Sequence, residues 1–200
     1  MPNDPPVAPH RSNAPVLWIV LGILAVCGCG GVAVLAAILF PVFSQARFAA
    51  KKTSTLSNAK TASLGLIMYA SDWDDRLPLP ETWMDATLPY TKNESVYKSI
   101  LASEKDPSKY GFAFRAALAG KKTAAYPDPQ NWPMIFDSTL THRNATSNLE
   151  TLPIPGRYMG TNIVGFLDGH AQAMRDAALQ NLDSKGNPQR PSSSTVDGSN

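Results

Sequence analysis

Few side chains in this chain are of a type and spacing to do acid–base or metal chemistry. They are Asp137, His142, Asp168 and His170 in the C-terminal half, and Asp72, Asp74 and Asp75 in "SDWDD". Carboxylates and imidazoles together suit a divalent cation, so Asp137, Asp168 and His170 are the metal candidates. Their spacing matches no ligand motif, because zinc sites show close pairs and calcium loops show regularly spaced oxygens closed by a Glu. A tight Asp168-Gly169 turn after a strand, with His170 opening the next element and the Asp run ending a long helix, accounts for the same residues. "SNAK", Ser57 to Lys60, has the Ser-x-x-Lys spacing of acyl-enzyme hydrolases. It stands on an amphipathic pattern without a Ser-Asp-Asn or Lys-Thr-Gly partner, which makes it a solvated face. No glycine-rich phosphate loop or nucleophile elbow is present. No catalytic residue, cofactor site or metal site is expected, and the chain is not read as an enzyme.

The elements that must position these residues divide unevenly. Hydrophobic residues are 44% and charged residues 17% of the 200, but from Ser12 to Ala46 there is no Asp, Glu, Lys or Arg. Within that stretch Val16 to Phe43 is nearly unbroken hydrocarbon, and about 20 such residues suffice for a helix to cross a bilayer. At about 1.5 Å per residue this helix is roughly 42 Å long against a hydrocarbon core of about 30 Å, so part of it tilts or emerges. A cleaved secretory signal has a shorter apolar core and a small-residue cleavage site. A lipoprotein signal ending at Cys29 leaves an apolar N-terminus in need of burial. An uncleaved anchor fits best. Ala25, Cys29, Ala33 and Ala37 fall four apart on it, a stripe of small side chains against which another membrane helix could pack. Both cysteines, Cys27 and Cys29, lie in the span, so the remainder has no disulfide framework. The net charge of +2, with no basic stripe, argues against nucleic acid.

The span continues as an amphipathic helix. Val42, Phe43, Ala46, Ala49, Ala50, Thr53, Leu56, Ala59, Ser63, Leu66, Ile67 and Ala70 recur at three- and four-residue steps. The helix ends in the Asp run before Pro78 and Pro80, and Pro41 predicts a kink near the membrane surface. "PETWMDATLPYT" reads as a short helix ended by Pro89. "KYGFAFRAAL" alternates Tyr110, Phe112 and Phe114 as a half-buried strand, and "NWPMIFDST" and "TNIVGFLDGH" are short apolar runs with turn residues at their ends. The expected fold is α+β, a long kinked N-terminal helix packed on a small, mainly antiparallel sheet of three or four strands. The expected organisation is a polar segment 1–15, a transmembrane helix 16–43, a domain 44–182 that includes the amphipathic helix 44–71, and a disordered tail 183–200.

"LAAILFPVFSQARFAAKKTSTLSNAKTASLGLIMYASDWDDRLP" and the late "PGRYMGTNIVGFLDGHAQAM" resemble the prepilin-like proteins of planctomycete and armatimonad-type bacteria. Members of that group often end in a His, nine residues, Asp-Gly pattern. They are similar in turn to type IV pilins and type II secretion pseudopilins, in which the N-terminal helix anchors in the inner membrane and packs into a filament. The resemblance implies a pilin-like fold and a membrane-anchored structural or interaction role. It implies pilin-like or secretion-system subunits as partners through helix packing, and calcium near the end of the domain as the one ion to consider. This chain departs from the pattern in three places. It lacks the Gly-Phe cleavage point, it has no Glu in the span, and Tyr158 stands where the group places His. Arg47, Lys51, Lys52 and Lys60 after the span would hold the domain in the cytoplasm by the charge rule, whereas the resemblance puts it in the periplasm or at the surface, and that topology is the one expected. The alternative is a membrane-tethered module on the same fold that binds a ligand or a divalent metal.

Overall fold

The computed structural model describes residues 14–179 and 182, and between residues 14 and 36 it describes the surroundings of Trp18 and Gly22 alone. The periodic pattern forms one helix, α1, Ala14–Asp72, with Pro41 inside it. Beyond Asp72 the Trp73 N–H still donates to Ala70 O at 3.1 Å, and then Asp74 and Asp75 take positive φ, 55° and 57°, and unwind the chain. Asp tolerates that region better than most residues.

The chain divides into two units at Phe48 and Ala49. In the first, Ile38, Leu39, Phe40, Val42 and Phe43 of α1 are all exposed. Among the described residues no helix is long and apolar enough to cross a membrane. Up to residue 36 the span expected over 16–43 rests, Trp18 apart, on side chains outside the described residues, and the segment 1–13 and the tail 183–200 lie outside them too.

In the second unit α1 buries Thr55, Ala59, Ala62, Ser63, Leu66 and Ala70, a stripe at helical spacing. Ala49, Ala50 and Thr53, expected on that face, are exposed, and Thr55 takes their place. The stripe lies on a five-stranded sheet of β1 (Phe112–Arg115), β2 (Pro133–Asp137), β3 (Thr146–Ser147), β4 (Thr161–Phe166) and β5 (Ala171–Arg175), in the order β3-β1-β2-β4-β5. All neighbours are antiparallel except β1 and β3. The sheet is therefore mixed and has one strand more than the upper expectation, because the two-residue β3 forms only by pairing with β1.

The register places Phe114, Ile135 and Gly165 in one row across β1, β2 and β4. A Cβ on Gly165 would lie 2.1 Å from Ser63 Oγ and 2.9 Å from Ile135 Cγ1, so helix and sheet meet there as closely as backbone allows. On the opposite face Ala113, Phe136, Val164 and Phe166 pack with Ala145, Leu149, Leu152 and Leu179. Covered on both faces, β1 is buried at every position, Arg115 included. The half-buried reading of Tyr110, Phe112 and Phe114 is thereby corrected, since a sheet covered on both sides has no solvent face to alternate with.

The short helix α2, Trp83–Thr91, runs two residues past Pro89 and does not end there. A proline this near the C-terminus removes one donor only, and Lys92 in the left-handed region closes the helix with its N–H on Leu88 O. Trp83 from α2 is fully buried, packs on Tyr97 and Phe114, and donates from its indole N–H to Ala145 O at 3.1 Å. Arg143, in the loop between β2 and β3, clasps this region from outside. It donates to Asp85 Oδ1 at 2.9 and 2.6 Å, to Tyr110 Oη at 2.8 Å and to Glu94. A further turn, Ile100–Ser103, is α3.

Candidate functional site

Asp137 ends β2 with its side chain fully buried between β2, β4 and α3. Ser99, which precedes α3, donates from Oγ to Asp137 Oδ1 at 2.6 Å, and the Ile163 N–H donates to Oδ2 at 2.7 Å. Arg157 Nε stands 3.8 Å from Oδ1. Burial pushes the carboxyl up to about 6, against the opposing pull of Ser99, the Ile163 amide and Arg157. A chain of hydroxyls extends from it: Ser99 Oγ is 3.3 Å from Tyr158 Oη, which is 2.5 Å from Thr55 Oγ1. Thr55 Oγ1 accepts the Ile100 N–H at 3.1 Å. Thr55, Ser99, Asp137 and Tyr158 are all fully buried. The four side chains tie α1, α3, β2 and the loop before β4 together and face no solvent. The chemistry open to such a node is proton storage and positioning.

Asp168 and His170 lie apart from it, in the β4–β5 hairpin. The hairpin is closed by Phe166 N–H donating to His170 O at 2.8 Å and Gly169 N–H to Phe166 O at 2.9 Å, with Gly169 at φ 88°. Asp168 Oδ1 accepts the His170 N–H at 3.0 Å and lies 2.5 Å from His170 Nδ1, while the His170 ring stacks on Phe166 at 4.2 Å. Partial burial pushes the Asp168 carboxyl up, but the His170 backbone and ring outweigh it and hold the carboxyl below its ordinary value. These contacts account for the conformation of the hairpin without a ligand.

The other candidates are scattered. His142 is exposed, Asp72 Oδ2 accepts the Tyr90 hydroxyl at 2.8 Å, and Asp74 pairs with Lys122 at 2.7 Å. The Asp75 carbonyl accepts the Thr123 N–H at 2.8 Å. Among the described residues no group of three or more His, Cys, Asp or Glu side chains is placed to hold a metal. Ser57 and Lys60 are exposed. Of the small-residue stripe, Ala37 is exposed, while the side chains of Ala25, Cys29 and Ala33 lie outside the described residues. An open cleft of about 380 Å³ lies beside the end of α1, lined by Ile67, Ala70, Ser71, Asp75, Thr123 and Leu167 among others.

The residues that sequence reasoning missed are Thr55 and Ser99, hydroxyls whose type ordinarily marks surface or turns. Tyr158 drew notice only as the residue standing where the prepilin-like group has His. The surface of α1 that asks most for a partner is the band Ile38 to Phe43, with Phe40 80% exposed. No protein-family model, no curated protein and no solved structure matches this chain.

Proposed function

We propose that this chain is a membrane-anchored, pseudopilin-like structural or interaction protein, a component of a type II secretion or type IV pilus-like assembly. The observation that carries the reading is the change of burial along α1. Ile38, Leu39, Phe40, Val42 and Phe43 are exposed at nearly consecutive positions and so surround the helix, whereas from Thr55 onward only one stripe is buried. A helix apolar all round belongs in lipid or among other helices, and a one-sided helix belongs on a domain. The uncharged sequence from Ser12 to Ala46 extends the first regime towards the N-terminus. The proposed arrangement is a single pass through the bacterial inner membrane, with the α+β unit in the periplasm or outside the cell. The protein works through helix packing and its domain surface, without covalent chemistry.

Protease protection of a C-terminally tagged protein in a bacterial host, with and without outer-membrane permeabilisation, followed by N-terminal sequencing, tests this reading. Digestion of the domain from outside the inner membrane with Met1 or Pro2 at the N-terminus is expected. A domain protected inside the cytoplasm overturns the pseudopilin reading, and a mature chain beginning at a lipidated Cys29 replaces the anchor with a lipoprotein.

A further inference from the structure

Three aromatic rings gather where α1 ends. Tyr69 and Trp73, one helical turn apart, stack with centroids 5.5 Å apart and planes 12° from parallel. Tyr90 of α2 meets Tyr69 edge-on at 6.1 Å and 81°. The Tyr90 hydroxyl donates to Asp72 Oδ2 at 2.8 Å. Asp72 is the chain neighbour of Trp73, and Tyr90 packs on the Tyr69 ring that backs the indole, so the Tyr90–Asp72 pair lies beside the stack. Trp83 of the same unit is fully buried, yet Trp73 is 58% exposed. Its ring is backed by Tyr69 and cannot fold away from water without breaking the stack, so a large flat apolar face is held open to solvent. Covering such a face takes apolar surface out of water and is favourable.

The charges nearby decide what would cover it. Asp72, Asp74 and Asp75 are balanced in the sequence by Arg76, Lys121 and Lys122, and Asp74 and Lys122 are paired. The formal charges of these six residues sum to zero, so net charge does not select an ion there, and shape and hydrogen bonding choose the ligand. The face of an indole is negative, so polarised C–H bonds rest on it favourably. A pyranose ring presents such C–H bonds on its flat side and hydroxyls at its rim, where the Asp72 carboxylate, already oriented through one oxygen by Tyr90, can accept from them with the other. We propose that Trp73, backed by Tyr69 and edged by Asp72 and Tyr90, is a saccharide-binding platform that takes a pyranose unit of a glycan. The site lies in the α+β unit and does not depend on the membrane reading.

Native affinity electrophoresis tests it. The full chain, in a detergent without a sugar headgroup, is run through gels holding a panel of soluble α-glucan, β-glucan, mannan, xylan and chitin derivatives. Retardation by at least one polymer is expected, reversed by its free oligosaccharide. Trp73→Ala should weaken that binding about tenfold or more, with smaller losses for Tyr69→Ala and Asp72→Asn. Trp73→Phe, which keeps a flat ring and guards against a folding defect, should fall between wild type and Trp73→Ala. Equal migration in every gel, or retardation unchanged in Trp73→Ala, overturns the proposal. Retardation reversed by tetramethylammonium and not by oligosaccharide also overturns it, in favour of an organic-cation platform.

Discussion

The hydroxyls of Thr55 and Tyr158 meet at 2.5 Å inside the protein, joining α1 to the loop before β4 across 103 positions of sequence. Thr55 Oγ1 also takes the Ile100 N–H, so it serves two partners, whereas Tyr158 Oη lies at the end of the Ser99–Asp137 chain. Tyr158→Phe should cost about 1 to 2 kcal/mol of stability, and Thr55→Val should cost more because it also strands a backbone donor. The double variant should lose less than the sum, since each single change already breaks the shared bond. Urea unfolding of the four proteins reads all three outcomes.

Asp137 gives the domain a pH dependence of unusual sign. Its folded-state value of about 6 lies above the ordinary carboxyl value of 3.8, so between those two values the folded protein holds more protons than the unfolded chain. Stability from this group is full below about pH 4, falls as the pH rises to about 6, and is constant above. The loss is up to about 3 kcal/mol. The lowered carboxyls of Asp85, held by Arg143, and of Glu94, held by Tyr110, act oppositely, contributing stability above their ordinary values that is lost at more acid pH. Asp137→Asn removes the ionisation, so the variant's Tm relative to wild type should climb as the pH is raised from 4 to 7. A constant difference across that range would show that Asp137 does not titrate there.

The Gly165 and Ser63 contact predicts a coupled pair. Ser63 Oγ is buried and makes no hydrogen bond, so Ser63→Ala should leave stability unchanged or raise it by about 1 kcal/mol. Gly165→Ala drives a methyl into Ser63 Oγ and Ile135 and should cost about 1 to 3 kcal/mol. In the Ser63→Ala background that cost should shrink, because the nearest clashing atom is gone. Additive effects in thermal melts would refute the close approach of α1 to β4.

A two-residue turn at Met159-Gly160 predicts a stabilising change. Tyr158 and Thr161 exchange backbone hydrogen bonds of 2.9 and 3.2 Å around it, and both central residues have positive φ, 53° and 76°. Such turns favour Asn-Gly, whereas Met159 is 78% exposed and strained in this region. Met159→Asn should raise stability by about 0.5 to 1 kcal/mol, read as a higher urea midpoint at unchanged m.

Much of the frame was legible because it follows from local rules. The stop of α1 at Asp72 follows from the Asp run and the prolines behind it. β2 and β4 lie inside the apolar runs "NWPMIFDST" and "TNIVGFLDGH", and Asp168-Gly169 sits at the hairpin between β4 and β5. The rest depends on partners distant in sequence. Thr146–Ser147 is a strand only because β1 lies beside it, and nothing in two hydroxyl residues announces that. The alternation of Tyr110, Phe112 and Phe114 suggested one covered face, whereas Leu149 and Leu152 pack against Ala113 on the other. The Asp137 node was the least legible, since Thr55, Ser99 and Tyr158 reach it from three separate segments, and only the carboxylate was a residue type that sequence reasoning singles out.

The close fit of α1 to the sheet also sets an order of events during synthesis. Ala59, Ala62, Ser63 and Leu66 leave the ribosome long before Ile135 and Gly165, the residues that lie against this stripe. At roughly 5 to 20 residues per second, the roughly hundred residues in between take about 5 to 20 seconds to appear. For that interval α1 can already meet Thr91 at Gly65 and the Ile100 N–H at Thr55, but the residues of the stripe that face the sheet lack their strands. Until β4 arrives, Ala59, Ala62 and Leu66 stand open to whatever surrounds the nascent chain, and the helix is complete well before the sheet that will cover it.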